Sequence, residues 1–168
     1  MRKVRRMIVL KGCKGDHVSR EQIRAFLYAT LMVLSYHNRA PALPLVVTIK
    51  RRMKELGTCC GSKIDLRADM QPEEMLTTCV HEVIHACISF PAGSVEKCTT
   101  TLCSKIKADV LRIADLLLEG TYRRAAYIAH TKIHYPPKGD DFYDPNEDMP
   151  VGVVTRYGGK TPRTGDES

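Results

Sequence analysis

The chain has 168 residues, enough for one domain with a sizeable core, and its 43% hydrophobic and 27% charged content is that of a soluble globular protein. Seven cysteines without a C-x-x-C pair argue against a secreted disulfide framework, and no apolar run approaches the length of a membrane span or of a signal-peptide core, so a cytoplasmic protein is expected. The formal charge of +7, much of it in basic clusters at 2–6, 50–54 and 123–124, fits an acidic partner, nucleic acid foremost, and equally a plain solvated basic surface.

Met7 to Leu10 reads as a short strand or packed arm. Ser19 with Gln22 three residues later resembles a capping box, and apolar Ile23, Phe26, Leu27, Leu31 and Leu34 recur at three and four residues. That spacing predicts a helix from Arg20 to about His37. Leu45 to Ile49 is rich in β-branched residues and reads as a strand, which the basic run 50–54 continues. Residues 56–62 read as a turn or hairpin loop, and 63–67 alternate polar with apolar as a second strand.

Pro72-Glu73-Glu74 marks a helix start, and Leu76, Cys79, Val80, Val83, Cys87 and Ile88 supply its apolar stripe. Phe90-Pro91-Ala92-Gly93 makes a sharp reversal. A further helical region is expected from about Ser94 to His134, with a break near Lys105 and a kink or close packing at Gly120. Leu102, Ile106, Val110, Ile113, Leu117 and Leu118 give it a buried stripe. From Pro136 the composition becomes rich in Pro, Gly and Asp, so the expected organisation is one domain over residues 1–135 and an irregular tail over 136–168.

One segment carries chemistry. His81-Glu82-Val83-Ile84-His85 is an H-E-x-x-H sequence within the helix that starts at Pro72. Residues four apart share a helix face, so His81 and His85 can present ring nitrogens to one metal ion. Glu82 stands one position round, where its carboxylate reaches a water instead of the metal. Zinc prefers a tetrahedral site, and with one position open it lowers the pKa of water, from which the glutamate takes a proton during attack on a carbonyl.

The run Ile49 to Gly57, followed by Lys63-Ile64-Asp65-Leu66, Glu74-Met75-Leu76 and HEVIH, resembles the core of SprT-like zincin metallopeptidases and of small phage-encoded zincins. The resemblance covers roughly residues 20–135. It implies an α+β, minimal zincin-like domain: a small two- to three-stranded sheet packed against an active-site helix and further helices. It also implies zinc held by His81 and His85, with Glu82 as general base, and a protein or peptide substrate. A phage-encoded protein would act in the host cytoplasm.

SprT-like enzymes supply a third histidine soon after the active helix, whereas residues 86–129 here contain none. Glu96, just past the 90–93 reversal, is the first candidate for the third ligand, and it equally suits the first turn of a helix, where the dipole favours a carboxylate. Glu119 and His130 are the alternatives, with His134 beyond them. Glu119 also fits an ion pair with Arg123 at i+4, and Asp109 and Asp115 read as solvated.

Arg123, Tyr127, His130 and His134 share one helical face. If that face borders the metal, Tyr127 is a catalytic candidate for the developing oxyanion and Arg123 a substrate-binding one. Otherwise it is an ordinary amphipathic face. Cys59, Cys60, Cys98 and Cys103 match no common zinc-ligand spacing, so no second metal site is expected. The rival to an enzyme is a basic binding module for nucleic acid or an acidic protein, built on the same scaffold.

Overall fold

The computed structural model describes residues 8–36 and 44–120. Within them the order is β1 (Ile8–Gly12), α1 (Arg20–Tyr36), β2 (Leu45–Lys50), β3 (Gly57–Cys60), β4 (Lys63–Arg67), α2 (Pro72–Cys87) and α3 (Val95–Leu118). This is the expected α+β class, with a larger sheet. Its four strands run in the order β1-β2-β4-β3; β1, β2 and β4 are parallel, and β3 is antiparallel to β4.

Of the two readings of the N-terminal segment, short strand or packed arm, the strand holds, because Ile8 to Gly12 find partners in Leu45 to Ile49. Residues 57–60 are a strand and not part of a loop, since Gly57 to Cys60 pair with Leu66 back to Lys63. The basic run, conversely, does not prolong β2. The strand ends at Lys50, and Ala68 N–H donates to the Lys50 carbonyl as the chain leaves the sheet.

One face of the sheet is apolar because the strand period is two: Leu45, Val47 and Ile49 on β2 and Ile64 and Leu66 on β4 are buried, while Lys63, Asp65 and Arg67 turn away. The helices pack together, α1 against both α2 and α3, and α2 also lies against β3 and β4. Ser19 and Gln22 form the expected capping box at the start of α1, by Gln22 N–H to Ser19 Oγ at 3.1 Å and Ser19 N–H to Gln22 Oε1 at 3.0 Å. At the start of α2, Gln71 N–H donates to the Glu74 carboxylate at 3.1 Å, and Pro72 occupies the first turn, where a missing N–H costs nothing.

Helix α3 runs unbroken past Lys105, since Leu102, Cys103, Ile106 and Val110 keep its apolar stripe in register. It stops at Leu118, and Gly120 follows the end instead of lying within the helix, its N–H donating to the Leu117 carbonyl. Leu118 is exposed, in contrast to the expected buried stripe. No described helix is long and apolar enough to cross a membrane. The expected domain boundary at 135 and the tail 136–168 fall outside the described residues.

Leu66 is fully buried where β4 meets the helices. Leu66→Ala is expected to lower unfolding free energy by about 2–5 kcal/mol, from lost transfer energy plus the cavity left behind. A urea titration followed by circular dichroism reads this directly.

Candidate metal centre

Helix α2 carries His81 and His85 on one face, and their Nε2 atoms stand 3.0 Å apart with the rings edge-on. The chain leaves α2 through Ile88 in extended conformation and reverses at residues 91–94, where Gly93 takes φ +87°, a conformation that favours glycine. Ser94 N–H and Oγ both donate to the Pro91 carbonyl, at 3.1 and 2.9 Å, which holds the reversal. Helix α3 therefore begins beside the end of α2, and its second residue, Glu96, reaches both histidines. Glu96 Oε2 lies 3.3 Å from His81 Nε2, and Oε1 lies 3.3 Å from His85 Nε2.

These distances suit a metal ion. Two ligand atoms about 2.0–2.1 Å from one zinc, at a tetrahedral angle, lie roughly 3.3 Å apart. In this triangle of side chains the two histidine nitrogens are 3.0 Å apart, and each lies 3.3 Å from a different carboxylate oxygen of Glu96. It is the only such group of ligating side chains among the described residues. Glu119 lies at the far end of α3, about 34 Å of helix from Glu96, so it cannot complete this triangle. Arg123, Tyr127, His130 and His134 fall outside the described residues.

Glu82 stands one position round α2 from His81, is buried, and lines the same cleft as the three candidate ligands. Burial raises its carboxyl pKa from 4.5 to about 7, with a further push from the Glu96 charge. His81 moves the other way: burial and the neighbouring His85 lower its pKa, against an opposing pull from Glu96. Both shifts favour neutral groups in the metal-free protein. For His81, that is the form that ligates a metal.

The cleft encloses about 460 Å³. Its second wall is β3, where Gly57, Thr58 and Cys59 line it together with Gly61 of the following turn. Strand β3 is the edge of the sheet, bonded to β4 on one side and, among the described residues, to no strand on the other. Burial, the Glu82 charge and the neighbouring Cys60 push the Cys59 thiol up to about 11, so it stays protonated beside the site. Sequence reasoning placed residues 57–59 in a loop and missed this wall. The one available signal was the short 56–62 connection before an alternating strand, which fits a hairpin with a strand on each side.

Compared with protein-family models, curated proteins and solved structures, the chain matches none. The likeness to SprT-like zincins therefore rests on the H-E-x-x-H segment and its neighbours alone.

Proposed function

We propose that this protein is a zinc-dependent peptidase. The observation that carries the reading is the preformed triangle of His81, His85 and Glu96, with a buried carboxylate, Glu82, beside it in one cleft. His81 and His85 would hold the ion through Nε2, and Glu96 through one or both carboxylate oxygens. Zinc bound there would supply a Lewis acid that activates water and polarises a carbonyl. Glu82 takes the proton from the attacking water at a carboxylate oxygen and delivers it to the leaving amine nitrogen. Its raised affinity for a proton suits both halves of that task.

The edge position of β3 supports a peptide as substrate. An extended segment can pair with unpaired N–H and C=O groups of an edge strand, and such pairing would lay its backbone across the cleft. Residues Gly57, Thr58, Cys59 and Gly61 are small, so the wall leaves room for main chain and modest side chains.

A second reading draws on charge. The ends of β1 and β2 and the loops after them carry exposed Lys11, Lys14, Arg51, Arg52 and Lys54, none in an ion pair among the described residues. At this end Lys50 and Arg67 are matched by Asp65 and Asp69. A basic binding module that holds metal without catalysis would use this end for nucleic acid.

Zinc analysis together with cleavage of an unfolded protein such as casein separates the two. The peptidase reading expects one zinc per chain, cleavage stopped by a chelator, and cleavage restored by added zinc. Zinc uptake without cleavage of any protein, accompanied by DNA binding that weakens steeply with salt, would move the assignment to the binding module. Absence of metal under every loading condition would end the enzyme reading.

A further inference from the structure

We infer that Gly57 is a positioning residue for Glu82: the missing side chain at the start of β3 makes the space in which the base stands. This rests on the peptidase reading and adds to it a residue outside the H-E-x-x-H segment. A Cβ built on Gly57 would lie 2.5 Å from Thr78 Cγ2, 2.9 Å from Glu82 Cγ and 2.9 Å from Glu82 Oε1. Comfortable carbon–carbon contact needs about 3.5–4.0 Å. Gly57 is not among the glycines with positive φ, so what it supplies is room and not an unusual backbone conformation.

Neither wall of this gap yields easily. On one side, Gly57 stands opposite Leu66 in the ladder, and Arg67 N–H donates to the Leu56 carbonyl at 2.9 Å, so the strand cannot retreat without giving up pairing. On the other side, Thr78 and Glu82 are one turn apart on α2, which is anchored by fully buried Cys79, Val80, Val83 and Ile84. The part freest to move is the Glu82 side chain from Cγ outward, which carries the carboxylate with it. A methyl group at 57 turns it out of its place in the cleft. The three atoms nearest that Cβ belong to Thr78 and Glu82, and none of them to His81, His85 or Glu96.

The test compares Gly57→Ala, Glu82→Gln and the double variant Gly57→Ala/Thr78→Ala. In Gly57→Ala we expect zinc stoichiometry to be kept, kcat to fall about 100-fold and KM to stay within about threefold, the pattern of a misplaced reacting group. The double variant removes the nearest obstacle, Thr78 Cγ2, and recovers part of kcat. A second readout needs neither substrate nor metal. The ¹³C carboxyl resonance of Glu82, identified by its loss in Glu82→Gln, shifts in Gly57→Ala and moves back towards wild type in the double variant.

A Gly57→Ala protein with wild-type kcat and an unmoved Glu82 resonance overturns the inference, and so does one that loses zinc along with activity. If Gly57→Ala does not fold, the double variant is compared with Thr78→Ala, from which it differs only by the methyl group at 57, and an identical Glu82 resonance and rate in the two overturn the inference. If wild-type protein cleaves nothing, the peptidase reading fails by itself. The resonance still decides whether Gly57 positions Glu82.

Discussion

Glu82→Gln is expected to keep its zinc and lose hydrolysis by about 10²–10⁴-fold, the usual contribution of a positioned general base. Glutamine has nearly the same shape as glutamate, so the packing against Gly57 and Thr78 survives while the ability to accept a proton goes. Glu82 is not in the ligand triangle, so metal content measured by atomic emission should match wild type. Hydrolysis at the wild-type rate would take Glu82 out of the role of base. Loss of zinc would mean that the carboxylate belongs to the metal's own shell.

The same variant exposes the electrostatics of the metal-free site. Glu82 is held at about pH 7 by burial and by the Glu96 charge, with Cys59, Cys79, His81 and His85 as its other titratable neighbours. Because the folded pKa is above the unfolded 4.5, its favourable contribution is full below about pH 4.5 and is lost as pH rises through about 7. His81 works in the opposite sense. Its folded pKa lies below 6.5, so its contribution is present above 6.5 and lost as pH falls. Subtracting the Glu82→Gln stability curve from that of wild type leaves chiefly the Glu82 part. Between about pH 5 and 8 the variant should gain on wild type by about 1 kcal/mol, the carboxyl being partly screened through the cleft. Thermal unfolding of chelator-treated protein measures it.

What could be seen in the chain beforehand divides along local and non-local lines. His81 and His85 were legible because a helix sets their spacing, and the Pro72 start and apolar stripe made that helix plain. Glu96 was legible as far as the reversal at residues 90–93 was, since a chain that turns back must begin its next helix near the end of the last. The strand at 57–60 was not. Gly-Thr-Cys-Cys has no alternation of polar and apolar, and it becomes a strand only because β4 lies alongside. Gly57 was hidden for the same reason, as its requirement comes from Thr78 and Glu82, more than twenty residues on. The break expected near Lys105 does not occur, since Ser104 and Lys105 simply look outward. On the opposite face, Cys98, Leu102, Ile106, Val110 and Ile113 stay buried throughout.

The ligand set itself predicts unequal losses. Structural zinc sites bind with about 10–16 kcal/mol over four ligands, so one protein ligand is worth about 2.5–4 kcal/mol, or roughly two to three powers of ten in affinity. His85→Ala should lose that much, and with it the thermal stabilisation that zinc confers, about 2.7 kcal/mol at a hundredfold excess over Kd. Glu96→Ala should fall at the lower end of the range, because Glu96 is largely exposed and has less desolvation to recover from the bond. It has a second effect that His85→Ala lacks. Removing the Glu96 charge takes away one of the two causes that raise Glu82, so the Glu82 carboxyl should titrate lower in metal-free Glu96→Ala than in wild type. Glu119→Ala, at the opposite end of α3, should change neither zinc affinity nor that titration. Competition with a chromogenic chelator ranks the three variants. A Glu119→Ala protein that sheds zinc while Glu96→Ala keeps it would contradict the triangle from which the whole functional reading is built.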